Sequence, residues 1–186
     1  MRIISGTLKG KSINFIKNST TRPLKDSVKE NIFNILKHSN LIDVKVENSN
    51  ILDLYSGVGS FGIESISRGA KKVTFIEQDK NAISTLRENL TKLSVVPKTA
   101  IINNKVENFF KVKTNKKFNI FFFDPPFENN DFTQILYLIK QHKVYEVPHI
   151  IIIHREKETR DKLDDLMYTV MSKQYGRSKI IFGIFK

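Results

Sequence analysis
The sequence predicts an α/β fold: a doubly wound, mostly parallel sheet of seven strands with helices on both faces. Three observations carry that prediction. From residue 51 onward, short apolar runs alternate with amphipathic stretches, the pattern of repeated βα units. One run, Ile51-Leu52-Asp53-Leu54, leads through a glycine turn (Tyr55-Ser56-Gly57-Val58-Gly59) into helical spacing from Ser60 to Arg68, which stops at Gly69. Another, Ile150-Ile151-Ile152-Ile153, is apolar without alternation, as a strand buried on both faces requires. In such a sheet, ligands bind at the carboxyl ends of the strands.

Residues 1–40 read as an N-terminal basic arm or hairpin plus a helix, packed on a single globular unit of residues 41–186. Arg2-Ile3-Ile4-Ser5-Gly6 and Thr7-Leu8-Lys9-Gly10-Lys11-Ser12-Ile13 are short extended pieces turned at glycines, and Arg2, Lys9, Lys11 and Lys17 make residues 1–17 basic. From Lys25 to about His38, Val28, Ile32, Ile35 and Leu36 form one helical stripe. Asn40 to Asn50 is polar and leads into the main fold. Val73 to Glu77 is a strand, and Ala82, Leu86, Leu90 and Leu93 line the next helix. Thr99 to Ile102 and Phe118 to Phe123 are further strands. Ile135, Leu136 and Ile139 mark a helix with Asp131 as its N-cap. Glu156 to Met167 is polar and helix-prone. Tyr168 to Tyr175 and Lys179 to Phe185 form an antiparallel edge pair joined at Gly176-Arg177-Ser178.

Composition narrows the function classes. The 186 residues carry a net charge of +12, which points to a polyanionic partner; a lysine-rich, asparagine-rich composition is the competing explanation. There is no cysteine, hence no disulfide and no thiolate metal site. No apolar run approaches the ~18 residues of a membrane span, and the N-terminus lacks a signal-peptide core, so a cytoplasmic protein is expected. The four histidines (His38, His142, His149, His154) lack metal-ligand spacing, and no metal is expected.

Three of the eight glycines fall at Gly57-x-Gly59-x-x-Gly62, with Glu77 about 20 residues further on, as in a dinucleotide fingerprint. Asp53 argues against a dinucleotide, because a carboxylate at the strand end would face a pyrophosphate with like charge. Beside the ammonium and sulfonium of S-adenosylmethionine (SAM) it would be favourable. On charge the stretch favours SAM and leaves NAD open. The second informative stretch is Asp124-Pro125-Pro126-Phe127, directly after an apolar strand. Paired prolines stiffen the exit. A carboxylate, a rigid carbonyl and an aromatic ring at a strand end suit a planar nitrogen base, the acceptors taking amino hydrogens and the ring stacking.

Together these motifs resemble the bacterial 16S ribosomal RNA guanine-N2 methyltransferases of the RsmD family, within the SAM-dependent Rossmann-like methyltransferases. The resemblance runs through Arg2 to Gly6, Thr21 to Phe33, Leu52 to Glu64, Ile76 to Asp79 and Asp124 to Phe127; the Thr21 to Phe33 segment points most specifically to this family. It implies that Asp53, Gly57 and Gly59 hold the methionine part of SAM and Glu77 the ribose hydroxyls, with Tyr55, Ser56 and Gln78 also at the cofactor. It implies that Asp124, Pro125, Pro126 and Phe127 hold the target base, and that Arg22 and Asp26 lie by the active site. The arm residues Lys9 and Lys11 are expected on RNA phosphates. The implied partner is 16S ribosomal RNA, in a small ribosomal subunit or an assembly intermediate, and the implied state is a monomer. Two positions depart from the family pattern. Asn103-Asn104-Lys105 stands where an acceptor for the adenine of SAM is expected, which leaves Asn104 or a backbone group to serve. His154 stands where an acid is expected and reads as structural or RNA-contacting. Adenine-N6 and protein-glutamine methyltransferases share both motifs and stay open as rivals. An NAD-dependent dehydrogenase explains the glycines but neither Asp53 nor Asp124 to Phe127.

Overall fold
The computed structural model describes residues 1–16, 24–111, 114–126 and 132–186. Seven strands form one sheet: β1 (Asn50–Leu54), β2 (Lys72–Glu77), β3 (Thr99–Asn103), β4 (Phe118–Phe123), β5 (Tyr145–Glu156), β6 (Met167–Tyr175) and β7 (Ser178–Phe185). Their order is β3-β2-β1-β4-β5-β7-β6. The first five are parallel, and β7 runs antiparallel between β5 and the edge strand β6. The strand order reverses between β1 and β4, which makes their carboxyl ends the switch point where open α/β sheets take ligands.

Alternation within the strands builds two cores. Ile51, Val73, Phe75, Ile120, Phe122, Ile150 and Ile152 pack under α1 (Asp26–His38), α2 (Ser60–Ser67) and α3 (Lys80–Lys92). Leu52, Leu54, Ile76, Phe121, Phe123, Ile151 and Ile153 pack under the short α4 (Val106–Phe109) and under α5 (Phe132–Gln141). Carried one step past the strands, the same period of two assigns Asp53, Glu77, Asp124 and His154 to the α1–α3 face.

Each helix has its own local cause. α3 is capped by Asp79, whose Oδ1 accepts the Ala82 N–H at 2.7 Å. α1 carries Asp26 in its first turn and Lys37 and His38 in its last, charges that suit the helix dipole. α2 starts at Gly59 (φ 85°), where a side chain would be strained. A Cβ on Gly62 would lie 2.3 Å from the Phe75 ring, so glycine there lets α2 lie directly on β2. An aromatic column ties α1 to the sheet: Arg68 lies 4.5 Å over Phe33, Phe33 stacks on Phe61 at 5.0 Å, and Phe61 stacks on Phe122 at 4.0 Å.

The segment between β5 and β6 differs from its helix-prone sequence. Residues 157–166 form turns and irregular backbone, where side chains within the segment and from its flanks bond groups in ways a helix does not use. Thr159 Oγ1 donates to the Glu156 carbonyl at 2.8 Å, Lys179 Nζ donates to the Thr159 carbonyl at 2.6 Å, and Arg155 Nε donates to Asp161 at 3.1 Å. Asp131 lies outside the described residues, as does Lys17.

The N-terminal hairpin is bolted to α2. Arg2 and Ser12 form its antiparallel bridge. Glu64, fully buried, accepts from Ile4 N at 2.8 Å, Ser5 N at 3.0 Å and Arg68 Nε at 2.8 Å. Gly6 approaches α2 so closely that a Cβ there would fall 1.8 Å from the Ser67 carbonyl. Lys29 of α1, also fully buried, donates to the Arg2 carbonyl and Ser60 Oγ, both at 3.1 Å, and pairs with Asp26 at 3.4 Å. Glu64→Ala leaves two amides and a guanidinium without their acceptor, and removing one partner of such a buried pair costs about 3–5 kcal/mol. Urea unfolding should show a loss in that range, with faster amide exchange at Ile4 and Ser5. A loss below about 1 kcal/mol, the net worth of one ordinary hydrogen bond, would show that Glu64 does not anchor the hairpin.

Candidate active site at the strand ends
The site is built at the carboxyl ends of β1, β2 and β4. Asp53, 1% exposed, turns toward α2, and its Oδ2 accepts the Gly62 N–H at 2.9 Å. This carboxylate serves the first turn of α2 in place of a side-chain cap from Gly59. Glu77 at the end of β2 reaches the glycine turn: its Oε2 accepts from Gly57 N at 2.8 Å, and its Oε1 accepts from Gln78 N at 2.8 Å and Asp79 N at 2.9 Å. Asp124 follows β4, and its amide donates to the Leu54 carbonyl at 3.4 Å across the switch point. Burial holds the Asp53 carboxyl well above the ordinary carboxylate range. The Gly62 N–H pulls it back, and the charges of Asp124 and Glu77 raise it further.

Three carboxylates thus share the strand ends beside one glycine turn, near enough for the charges of Asp124 and Glu77 to act on Asp53, an arrangement that favours a cation and disfavours a pyrophosphate. The dinucleotide alternative is weakened at a second point, since the Gly62 N–H at the start of α2 is already bonded to Asp53. The turn itself leaves room. A Cβ on Gly57 (φ 52°) would meet nothing within 4 Å, and Ser56 Oγ is buried with no hydrogen-bond partner among the described residues. Buried hydroxyls are ordinarily satisfied, so this atom awaits a partner. Tyr55 takes a left-handed backbone (φ 58°), with its ring packed against the α5-side core.

The other sequence-predicted residues fall in three groups. Asn104 follows β3, with its N–H bonded to the Glu77 carbonyl at 3.0 Å. Its Oδ1 already accepts from Lys105 N and Asn108 Nδ2, at 2.8 and 3.0 Å, which leaves the amide NH2 as its ready donor. Pro125 is buried and Pro126 exposed. Lys9 and Asp26 line one open cavity of about 490 Å³ between hairpin and α1, together with Arg2, Ser27 and Glu30; Lys11 is exposed on the hairpin and is not part of that lining. This cavity lies apart from the glycine turn. Arg22 and Phe127 lie outside the described residues. Among the described residues no cluster of three or more histidine or acidic side chains is arranged to hold a metal ion.

The structure adds residues that pattern reading passes over. His154 Nδ1 lies 2.8 Å from Asp124 Oδ1, so the histidine read as structural or RNA-contacting is a direct partner of the predicted base-binding carboxylate. Arg155, fully buried, donates from Nη1 to the Pro126 carbonyl at 3.2 Å and lies 4.8 Å over the Phe132 ring, holding the exit of the proline pair. Asn89 of α3 donates to the Asn14 and Val58 carbonyls at 3.0 and 3.3 Å, linking the hairpin to the glycine turn. Two signals could have found the first pair. A histidine and an arginine directly follow the four isoleucines of β5, and polar residues at the end of a buried strand sit where a sheet binds its ligand.

Comparison with known proteins places the chain in context. A family model described as "Conserved hypothetical protein 95" matches residues 1–184. The chain is 34% identical over 160 residues to the ribosomal RNA small subunit methyltransferase D of Haemophilus influenzae, covering 85% of this chain and 80% of that one. It is 30% identical over 185 residues to the protein of the same name from Buchnera aphidicola subsp. Baizongia pistaciae, covering 100% and 91%. The solved structure of yhhF from Escherichia coli superposes with a TM-score of 0.83 at 25% identity, over 100% of this chain and 98% of that one.

The buried carboxyl gives a pH prediction. Asp53 keeps its proton in the folded protein to a pH at which the unfolded chain has lost it, so over that interval the folded state binds more protons. Stability therefore falls as pH rises from about 4, the ordinary aspartate value, through the folded pKa of Asp53. Asp53→Asn keeps an acceptor for Gly62 and removes the charge. Its melting temperature should exceed that of the native protein at pH 8, with the gap closing toward pH 4. A variant less stable than native at pH 8 would refute the reading that the Asp53 charge opposes folding.

Proposed function
The chain belongs to the RsmD family, and from that premise we propose that it transfers a methyl group from SAM to the exocyclic N2 of a guanine in small-subunit ribosomal RNA. The carrying observation is that Asp53, Glu77 and Asp124 share the strand ends, with the charges of Glu77 and Asp124 acting on Asp53, beside a glycine turn that Glu77 bonds and that is open at Gly57. SAM, when bound, supplies an electrophilic methyl on a sulfonium. Asp53 and the 55–59 turn would hold its methionine part, where a cation offsets the mutual repulsion of the carboxylates. Ser56 Oγ offers a hydroxyl there, and Glu77, with lone pairs still free on its carboxylate, would take the ribose hydroxyls. Gln78 lies beside it. The adenine would meet the Asn104 amide as a donor, so its own amino group must find a different acceptor.

Asp124, Pro125, Pro126 and Phe127 would hold the base. The amino lone pair of guanine is delocalised into the ring. By accepting its N–H bonds, Asp124 and the proline-pair carbonyl draw the amino group out of plane and localise that lone pair toward the methyl. Asp124 also takes the proton the amine gives up. Positioning supplies most of the acceleration. The base must be unstacked to reach a strand-end pocket, which favours a loop or flipped nucleotide.

Guanine follows from counting acceptors. An ionised carboxylate only accepts, and guanine offers it N1–H and N2–H side by side, whereas adenine sets one amino donor beside an N1 acceptor. A good bidentate contact is worth ~1–3 kcal/mol of discrimination. The test is methylation of small-subunit ribosomal RNA, free and in particles, with labelled SAM, followed by digestion to nucleosides. Label should appear in N2-methylguanosine and vanish in Asp124→Ala, whose SAM affinity should stay within tenfold of native. Label in N6-methyladenosine would overturn the guanine assignment.

The hairpin cavity, with Arg2 and Lys9 beside Asp26, is the proposed seat of RNA phosphate contacts, and Lys11 extends it. Replacing Lys9 and Lys11 by Ala should flatten the slope of log affinity against log salt by roughly 0.7 per lost single-strand contact, or about 0.9 for duplex-like contacts. An unchanged slope would return both lysines to a solvated surface.

A further inference from the structure
Asp124 is held from behind by a chain of hydrogen bonds that crosses two more strands. Phe123 of β4 pairs in register with Ile153 of β5, so Asp124 and His154 are the next residues along. On the other side His154 pairs with Ile180 of β7, and Ser178 begins that strand. His154 Nδ1 lies 2.8 Å from Asp124 Oδ1, and Nε2 lies 2.9 Å from Ser178 Oγ. The imidazole is 7% exposed and the Asp124 carboxyl 25%. A ring gripped at both nitrogens and shielded from water has its rotation fixed. With Asp124 ionised and able only to accept, Nδ1 must carry the proton, and Nε2 is then free to accept the Ser178 hydroxyl.

The same three groups form the triad of serine hydrolases, but the exposure runs the wrong way for that chemistry. In a hydrolase the aspartate is buried behind the histidine. Here the aspartate is the more exposed of the pair and sits at the switch point beside Leu54, near enough to Asp53 for the two charges to interact. The histidine therefore acts toward Asp124.

We propose that His154 is a positioning residue for methyl transfer: its Nδ1–H pins Oδ1 of Asp124, leaving Oδ2 and the second lone pair of Oδ1 as the acceptors that meet the base. Ser178 fixes the ring that does the pinning. The inference rests on Asp124 as the base-binding carboxylate. It adds that a donor at the Nδ1 position, rather than a titrating imidazole, is what the reaction needs.

Two measurements judge it. The first is single-turnover methylation at saturating SAM and RNA. His154→Leu removes the donor and should slow transfer ~10–100-fold, the range seen when an outer-shell partner of a functional ligand is lost. His154→Asn places an amide N–H near the Nδ1 position and should stay within about fivefold of native, with SAM affinity near native in both variants. His154→Leu within threefold of native, or His154→Asn as slow as His154→Leu, would overturn the proposal. The second needs neither RNA nor turnover. Long-range proton–nitrogen NMR of the free protein should show His154 protonated at Nδ1, and Asp124→Ala should remove that preference. The Nε2–H tautomer in the native protein would overturn the proposal even if leucine folds poorly. Should the native enzyme label a base other than guanine, the guanine assignment fails, while the order of the variants on that base and the tautomer still decide the role of His154.

Discussion
Asp53 is the constraint around which the rest is arranged. It is an acid sealed in the end of the central strand, and a sealed charge is costly unless its surroundings answer it. The fold answers it partly, with the Gly62 N–H at the start of α2. That single bond sets the angle at which α2 leaves the glycine turn, and it requires the close packing that the missing side chain of Gly62 allows. The rest of the answer must come from a ligand. Asp124 and Glu77 raise the cost of charging Asp53 instead of lowering it, so the three acids together form a site poised for a cation. The same burial that weakens the protein above the ordinary carboxylate pH range prepares the proposed cofactor site.

α2 also joins the glycine turn to the arm proposed to meet RNA. Its first residue, Ser60, takes a hydrogen bond from Lys29 of α1, and its Glu64 takes two from the hairpin. On the far side, Asn89 bridges Asn14 of the hairpin and Val58 of the glycine turn. These bonds are buried or partly buried and charge-assisted at Glu64 and Lys29, so the hairpin is a fixed wall and not a loose basic tail. A substrate seated against Arg2 and Lys9 would therefore meet a surface already registered on the glycine turn.

Much of this was legible in the residues. The β4 strand could be bounded at Phe118 and Phe123 because five of its six residues are apolar and two prolines follow closely. The glycine turn was legible because strand, positive-φ glycines and helix each leave their own mark. What escaped reading was long-range polar pairing. Glu64 and Lys29 look like ordinary charged positions on helices, and only the approach of the hairpin, 60 residues away from Glu64 in sequence, turns them into buried anchors. The segment 157–166 looks helical because its propensities are local, while the bonds that prevent a helix come from Arg155 and Lys179 outside it. His154 could be noted as an oddity at a strand end, but its partner could not be named without the register of β4 on β5.

That register explains why a histidine suits a position where an acid is expected. Parallel pairing with a period of two carries residue 154 to the face and the end of the sheet that already hold Asp53, Glu77 and Asp124. A fourth carboxylate 2.8 Å from Asp124 would share a proton or force one of the pair to stay neutral, because like charges that close do not both ionise readily. A protonated Asp124 would present a donor to the proposed base and lose the acceptor pattern on which the guanine proposal rests. A histidine with Nε2 accepting from Ser178 presents a donor to Asp124 without adding negative charge. It thereby holds Asp124 oriented without crowding it with a like charge. The residue that departs from the expected pattern thus preserves the electrostatics that the pattern serves.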